Sequence, residues 1–227
     1  MRRTLQFISE HLLILLLTAG TVFSFVWLNH YKNCLQMNWW MALILSVLHT
    51  LIGVLTVKVF AVLETLDLSN IGNMSLFGGI FFMPLVYWVG AKITKRDMAR
   101  VFDIFTICMI FTVMCARINC IFSGCCFGMP IPGMGEVRWP TREMEIIFYL
   151  ILLLILGRKI SAGKTNGEMY PIYMAAYGAF RFIVEFFRVS DSSLGIIHLS
   201  HVWAMLSFGM GISIYYELQS RRNRERR

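Results

Sequence analysis

Long apolar segments separated by short polar loops run along the whole chain. Several of them approach the roughly 20 residues that a helix needs to cross a bilayer. The pattern predicts seven helices, at residues 11–28, 39–63, 75–92, 101–118, 143–157, 168–188 and 201–217. No polar block between them is long enough to form a second domain, so we expect one integral membrane domain over residues 1–227. The first segment lacks a small-residue cleavage site and is long for a signal peptide, so we interpret it as a retained span.

Composition supports the same fold class. The chain has 227 residues, of which 57% are hydrophobic and only 15% charged, and this is too apolar for a soluble domain. We therefore predict an all-α polytopic membrane protein with about seven transmembrane helices. The net charge of +8 would suggest nucleic acid binding in a soluble protein. Here the basic residues lie in short loops and at the C-terminus, so no nucleic-acid partner is implied.

The basic residues also predict the orientation of the helices. They cluster in the loops after the third and fifth helices, at 92–100 and 158–164, and in the tail at 218–227. All three clusters fall on one side, which is cytoplasmic by the positive-inside rule. The N-terminus is then outside and the basic tail at 218–227 is cytoplasmic. The loops at 64–74, 119–142 and 189–200 are expected on the outer side.

The sixth helix carries ionisable side chains inside an apolar segment. Tyr177, Arg181, Glu185 and Arg188 are spaced i, i+4, i+8 and i+11, which places them on one face. A charge in hydrocarbon costs at least about 2.5 kcal/mol, so such residues usually face a cavity or one another. An Arg181–Glu185 pair that only neutralises itself is the alternative. Because Tyr177 and Arg188 extend the stripe beyond one pair, we favour a binding site.

The start of the third helix offers a second candidate. Ser75 is a plausible N-cap, and Gly78 and Gly79 in the first turn would leave backbone N–H groups open to an anion. Close packing against a neighbouring helix is the alternative explanation for both glycines.

Cysteines cluster where the fourth helix ends. Cys120, Cys125 and Cys126 follow Arg117 and precede a loop rich in proline and glycine, which is typical of binding loops. A disulfide from Cys120 to Cys125 or to Cys126 is open in an oxidising compartment. The chain has no Cys-x-x-Cys pair for a redox relay. Zinc held with His198 or His201 lacks the usual ligand spacing, so we expect no metal and no cofactor.

Taken in order, three motifs resemble the prolipoprotein diacylglyceryl transferase family over roughly residues 75–191. The first is carried by Arg117, Gly124 and Gly128. The second is echoed by Arg138, Pro140, Thr141 and Glu145. The third matches without a gap at Tyr177, Gly178, Arg181, Glu185, Arg188 and Asp191.

The sequence also departs from the family pattern. The family's His-Gly-Gly-Leu reads Phe77-Gly78-Gly79-Ile80, so its histidine is absent. In the first motif, Cys120 and Ser123 stand where the family has asparagines, and Cys125 stands where it has a glutamate. In the second motif, Arg142 and Met144 replace a glutamine and a tyrosine. His201 replaces the glutamine that opens the last helix.

The resemblance implies a bacterial plasma-membrane enzyme with its active site near the outer leaflet. It would transfer a diacylglyceryl group from phosphatidylglycerol, or another anionic glycerophospholipid, to the cysteine thiol of a lipoprotein precursor peptide. Arginine suits a phosphate leaving group, because its planar guanidinium binds two phosphate oxygens at once and stays charged. The expected catalytic residues are Arg117, Arg181, Glu185, Tyr177 and His201. The expected substrate-binding residues are Gly78, Gly79, Gly124, Gly128, Arg138, Glu145 and Arg188.

Each role follows from the chemistry of the side chain. Glu185 would orient Arg181 or Arg188, and Tyr177 would hydrogen-bond the ester or the phosphate. His201, with His198 second, would deprotonate the incoming thiol, because the thiolate is the nucleophile. Two alternatives stay open: a transferase on the same fold with another acceptor, and a phospholipid-binding membrane protein without catalysis.

Overall fold

The structure is a computed structural model that describes residues 2–68, 74–189, 193–194 and 197–225. Seven helices and one short antiparallel pair of strands form in these residues. They are α1 (Arg2–His30), α2 (Trp39–Thr65), α3 (Phe77–Thr94), α4 (Met98–Ser123), α5 (Thr141–Ser161), α6 (Met169–Glu185), β1 (Ser193–Leu194), β2 (Ile197–His198) and α7 (Leu199–Glu225). The predicted all-helical fold is confirmed. Four helices are apolar and long enough to cross a membrane by length and composition, over His11–His30, Trp39–Glu64, Phe77–Thr94 and Met98–Ser123.

Several helix ends differ from the prediction. α4 continues to Ser123 and stops where Gly124 adopts a left-handed conformation with φ of 64°, which glycine tolerates without strain. α6 ends at Glu185, so Arg188 lies beyond the helix and not on its face. α7 continues through most of the basic tail to Glu225. The motif residue Asp191 lies outside the described residues.

Two expected helix starts are also corrected. α3 begins at Phe77 with Leu76 at the N-cap position and no side-chain cap, so Ser75 is not the cap. α7 begins at Leu199, which puts Ser200 inside its first turn.

α4 is the central helix of the bundle. Residues 103–110 are buried without interruption, and the helix packs against α1, α3, α5 and α6. The surrounding helices leave large apolar side chains exposed, such as Ile14, Leu51, Ile151 and Met205. In a membrane protein these side chains face the lipid, where exposure of an apolar group carries no penalty.

α6 and α7 pack through glycines. A Cβ on Gly178 would lie 2.6 Å from the carbonyl oxygen of Ala204, and one on Gly211 would lie 2.5 Å from the backbone nitrogen of Ala175. Small residues allow two helix backbones to approach closely, which is how helices associate in the absence of a hydrophobic effect. Among the described helices, these two share the most extensive interface.

Hydrogen bonds join three loops at one end of the bundle. Arg96 lies in the loop after α3 and Leu35 lies in the loop after α1. Nη1 of Arg96 donates to the carbonyl oxygen of Leu35 at 2.7 Å. The carboxylate of Asp103, near the start of α4, accepts from the backbone N–H groups of Gly167 at 2.7 Å and Met169 at 2.8 Å. This end, called the basic end, carries the three basic clusters. The opposite end, called the site end, holds the ends of α2, α4 and α6 and the starts of α3, α5 and α7.

Candidate functional site

Charged side chains from three helices meet at the site end. Arg117 comes from α4, Glu145 from the second turn of α5, Arg181 and Glu185 from α6, and Arg188 from the chain just after α6. We call these five residues the arginine–glutamate cluster. The structure thus brings together residues from all three sequence motifs.

Glu145 lies at the centre of the cluster. Its Oε1 accepts a hydrogen bond from Nη1 of Arg181 at 2.8 Å and another from Nη1 of Arg188 at 3.1 Å. Its Oε2 forms an ion pair with Nε of Arg117. Glu145 was predicted to bind substrate, but its central position was not predicted, because nothing in the local pattern of α5 shows which arginines face it.

Glu185 holds the other side of the cluster. Its Oε2 lies 2.7 Å from Nη2 of Arg181 and 4.0 Å from Nε of Arg188. Arg181 is therefore fixed between two carboxylates, each paired with a different nitrogen of its guanidinium. The expected pairing of Glu185 with Arg181 is present, and the weaker contact with Arg188 accompanies it.

Water has little access to these charges. Arg117 and Arg181 are each 7% exposed, whereas Glu145 and Glu185 are 1% and 2% exposed. Three arginines against two glutamates leave one positive charge within the cluster. An uncompensated charge in a dry environment is costly, so the cluster suits a bound anion.

Unpaired polar atoms lie beside the cluster. Tyr177 lies one turn before Arg181 and is fully buried, and its ring packs edge-on against Phe77 at 5.7 Å between centroids. The hydroxyl groups of Tyr177 and Tyr149 and Nε of Arg181 have no hydrogen-bond partner among the described residues. Since buried polar groups are nearly always hydrogen-bonded, these donors are suited to the oxygen atoms of an anionic ligand.

The loop after α4 positions Arg188. Gly128 pairs with Arg188 in an isolated antiparallel bridge, and the backbone N–H of Met129 donates to the carbonyl oxygen of Phe187 at 2.8 Å. A Cβ on Gly128 would lie 2.1 Å from the carbonyl oxygen of Trp139, so only glycine fits there. Gly128 therefore brings the loop and the chain after α6 into register.

Other predicted residues lie at the edge of the site. Arg138 is exposed in the loop, where its Nη1 donates to the carbonyl oxygen of Gly128 at 3.4 Å. Gly124 terminates α4 through its left-handed conformation. Their expected contact with substrate stays a prediction, and their observed contacts are structural.

The expected open donors at the start of α3 are not present. The N–H of Gly78 donates to the carbonyl oxygen of Ser75 at 3.0 Å, and that of Gly79 to the carbonyl oxygen of Leu76 at 3.1 Å. A Cβ on Gly78 would lie 2.2 Å from the carbonyl oxygen of Thr56. Gly78 therefore allows α2 and α3 to pack closely, and the expectation of free N–H groups was wrong for both glycines.

His201 lies fully buried at the start of α7. Its ring packs against Phe186 at 4.5 Å and Phe182 at 5.2 Å between centroids. Its Nδ1 accepts a hydrogen bond from the backbone N–H of His198 at 3.1 Å. In the neutral ring the proton is then on Nε2. The proposed role of His201 as a base stays a prediction.

Glu64, at the end of α2, was not among the predicted site residues. Its half-buried carboxyl lies near the side chains of Ser75 and Trp203 and within electrostatic reach of Arg181 and Glu185. Glu64 falls at the boundary between a helix and a polar loop, where a carboxylate is common, so the sequence offered no signal for it. It adds a titratable group at the rim of the cluster.

The three clustered cysteines lie next to Arg117. Nη1 of Arg117 is 3.8 Å from Sγ of Cys126. Hydrogen bonds from the Cys120 and Cys125 thiols lower the pKa of the Cys126 thiol, and the charges of Arg188 and Arg117 lower it further. All six cysteines of the chain are free thiols in this structure, so neither expected disulfide is present.

Two apolar cavities lie between the helices. A cavity of about 440 Å³ lies between α2, α3 and α4 toward the basic end, where Leu35 and Arg96 line it, and its other lining side chains are almost all apolar. A smaller cavity of about 70 Å³ shares His49 and Met83 with it and reaches Gly79 and Ala116, next to Arg117. An acyl chain attached to a head group at the cluster has space in this direction.

Comparison with known proteins agrees with these motifs. The sequence profile described as prolipoprotein diacylglyceryl transferase matches residues 12–217. The chain is 26% identical over 164 residues to a phosphatidylglycerol–prolipoprotein diacylglyceryl transferase of Chlorobaculum tepidum, with 65% of this chain and 57% of the relative covered.

Two further relatives carry the same name. The one from Dehalococcoides mccartyi is 22% identical over 174 residues, with 68% of this chain and 65% of the relative covered. The one from Pasteurella multocida is 29% identical over 141 residues, with 58% and 52% covered. The matched part thus spans between about half and two thirds of the length of these relatives.

Proposed function

Because the chain belongs to the prolipoprotein diacylglyceryl transferase family, we propose that it transfers a diacylglyceryl group from phosphatidylglycerol to the cysteine thiol of a lipoprotein precursor. The observation that carries the proposal is the arginine–glutamate cluster, a buried set of three arginines and two glutamates with one surplus positive charge. It offers guanidinium groups for a phosphate, and the smaller apolar cavity that reaches Ala116 offers space for part of an acyl chain.

The reaction exchanges one bond for another at a glycerol carbon. The thiolate of the acceptor attacks that carbon, a C–S bond forms, the C–O bond to phosphate breaks, and glycerol phosphate leaves with the electron pair. Negative charge grows on the phosphate as the bond breaks. Arg117, Arg181 and Arg188 stabilise it, and Glu145 and Glu185 hold the guanidinium groups in place beforehand.

Polar groups around the cluster complete the assignment. Tyr177 donates its hydroxyl to an ester or phosphate oxygen, since that hydroxyl is buried and has no partner among the described residues. His201 accepts the proton of the acceptor thiol at Nδ1, once that nitrogen gives up the hydrogen bond from the backbone N–H of His198. Because its Nδ1 already accepts a hydrogen bond, the half-buried carboxyl of Glu64 is the second candidate for that proton.

The proposed setting is the bacterial plasma membrane, with the cluster near the outer leaflet and the N-terminus outside. The site end lies opposite the basic loops, and positively charged loops remain in the cytoplasm. In this proposed orientation the head-group site is within reach of lipids and precursor peptides at the outer surface.

A second function is favoured by one observation. Phe77 occupies the position of the family histidine and packs against Tyr177, so the chain carries an apolar ring where relatives with the motif have a titratable one. A phospholipid-binding protein without turnover, or a transferase with a different acceptor, is consistent with this exchange.

One experiment separates the three functions. The purified protein is incubated with phosphatidylglycerol and a peptide that contains a lipoprotein-type acceptor cysteine, and both products are followed by mass spectrometry. We expect thioether lipopeptide together with glycerol phosphate. Glycerol phosphate without lipopeptide indicates another acceptor, and lipid binding without either product refutes the transferase proposal.

The assignment of the base has its own test. A His201→Ala variant should lose turnover while it still binds phosphatidylglycerol, and Glu64→Gln serves as the matched comparison. If His201→Ala is fully active and Glu64→Gln loses turnover, Glu64 is the base that accepts the thiol proton. Binding is measured by retention of fluorescent phosphatidylglycerol in detergent micelles.

A further inference from the structure

Cys120, Cys125 and Cys126 form a compact group of thiols at the end of α4, and we call them the cysteine trio. Their three Sγ atoms lie within 4.8 Å of one another. The trio is not part of the proposed transfer mechanism. The sequence spacing led us to expect no metal, but from the geometry of the trio we propose that it binds a thiophilic cation of the Zn²⁺ type.

The distances fit such an ion with little movement. Zinc–sulfur bonds are about 2.3 Å long, so the sulfur atoms around a tetrahedral ion lie about 3.8 Å apart. Contraction from separations of up to 4.8 Å to this value requires each sulfur to move by less than about 1 Å. Rotation of a cysteine side chain about χ1 supplies a shift of that size.

The backbone brings the third thiol back toward the first. Cys126 has φ of 59°, in the left-handed region that a cysteine rarely adopts. Two residues earlier, Gly124 has a similar φ of 64°. These two turns fold the chain onto the last turn of α4 and place Cys126 beside Cys120. A strained residue of this kind persists where the surrounding structure fixes it, and this happens most often at functional sites.

The charges around the trio suit an ion bound by thiolates. Three thiolates and one divalent cation sum to one negative charge. The neighbouring cluster carries one surplus positive charge, and Nη1 of Arg117 lies 3.8 Å from Sγ of Cys126. A guanidinium at that distance donates to a metal-bound thiolate, as the second shell of a metal site usually does.

The donor set also selects the class of ion. Sulfur ligands favour soft or borderline cations such as Zn²⁺, whereas Mg²⁺ and Ca²⁺ require oxygen ligands. Three protein ligands leave the fourth position of a tetrahedral ion for a ligand from outside the trio. The half-exposed position of the trio makes that coordination site accessible from solvent.

The test measures ion binding directly and does not depend on turnover or on the proposed function. The full chain is purified under reducing conditions in detergent, loaded with Co²⁺ or Zn²⁺, and freed of excess ion by gel filtration. We expect one ion per chain by elemental analysis, and thiolate-to-cobalt charge-transfer absorption with Co²⁺.

Two variants of the same residue guard against misfolding. Cys126→Gly removes the thiol and suits the left-handed backbone, whereas Cys126→Ser keeps the size of the side chain. Both should retain less than about a tenth of the ion bound by the parent protein, because two thiolates hold such an ion far more weakly than three. Cys34→Ser, at a partly buried cysteine outside the trio, should bind as much ion as the parent.

Three results would overturn the proposal. The first is a parent protein that retains no ion after loading. The second is a Cys126→Gly variant that binds as much ion as the parent. The third is a disulfide within the trio in protein purified from membranes without reductant, detected by peptide mass spectrometry.

Discussion

Replacement of Glu145 by glutamine removes one negative charge from the centre of the arginine–glutamate cluster and keeps almost the same side-chain shape. Glu145 is 1% exposed and pairs with Arg117, Arg181 and Arg188. The substitution raises the surplus charge of the cluster from one to two positive charges. We expect Glu145→Gln to destabilise the protein strongly in the absence of anionic lipid.

The magnitude follows from the burial of the partners. Removal of one member of a buried ion pair costs about 3–5 kcal/mol, because the remaining charge is left without compensation. For a chain of this length such a loss lowers the unfolding midpoint by on the order of 10 °C. Phosphatidylglycerol returns a negative charge to the same guanidinium groups, so it should restore part of the loss, whereas zwitterionic phosphatidylcholine should not.

The assay is thermal unfolding of the purified variant in neutral detergent, with and without each lipid. Glu143→Gln is the matched control, since Glu143 lies on the same helix, its side chain is 43% exposed and its contact with Arg142 is 3.9 Å. That control should change stability by less than about 0.5 kcal/mol. An unfolding midpoint for Glu145→Gln equal to that of Glu143→Gln, or equal rescue by both lipids, would refute the reasoning.

Three further substitutions test other parts of the structure. Arg181→Lys should lower turnover by about 100-fold with little loss of folded protein. One ammonium group cannot bridge two carboxylates as the guanidinium does at 2.7 and 2.8 Å. A steady-state assay of glycerol phosphate release measures the turnover. Gly78→Ala should cost about 1–3 kcal/mol in thermal stability, because the new methyl group overlaps the carbonyl oxygen of Thr56 at 2.2 Å. Asp103→Ala removes two hydrogen bonds of 2.7 and 2.8 Å to backbone N–H groups, with an expected loss of about 3 kcal/mol in a denaturant titration.

Control variants keep the two stability tests specific. Gly53→Ala lies on the same helix pair as Gly78→Ala, and nothing lies within 4 Å of its new methyl group, so it should leave stability unchanged or raise it slightly. Asp97 is exposed and caps α4 through one hydrogen bond of 3.0 Å to the N–H of Ala99, so Asp97→Ala should cost about 1 kcal/mol. Equal losses in each test variant and its control would contradict the packing and hydrogen-bond arguments.

The sequence was informative where a short-range pattern determines the structure. Apolar segments of bilayer length predicted the seven helices, and the helical period placed Tyr177, Arg181 and Glu185 on one buried face. The glycines of α3 were harder to interpret, because open N–H groups and close packing require the same residue type. Close packing is shown for Gly78 by its contact with Thr56 on another helix, and no local sequence pattern identifies that partner.

The centre of the site depended on tertiary structure. Glu145 pairs with arginines that are 28, 36 and 43 residues away in sequence, so its role emerges only when α4, α5 and α6 have packed. Arg188 was predicted on a helix, yet pairing with Gly128 places it in the cluster from an extended segment. The close approach of Cys120 and Cys126 required a left-handed residue that sequence periodicity does not predict.

The close packing of α6 against α7 has a mechanical consequence. With Gly178 and Gly211 in direct backbone contact with the neighbouring helix, we expect these two helices to move together. α5 packs mainly on α4 and only slightly on α6. Among the helices that supply the cluster, α5 and α6 therefore have the smallest contact with each other. The ion pairs from Glu145 to Arg181 and Arg188 cross this contact and hold α5 against α6 and the chain that follows it. An anion that shares these guanidinium groups with Glu145 would therefore weaken the contact between α5 and α6.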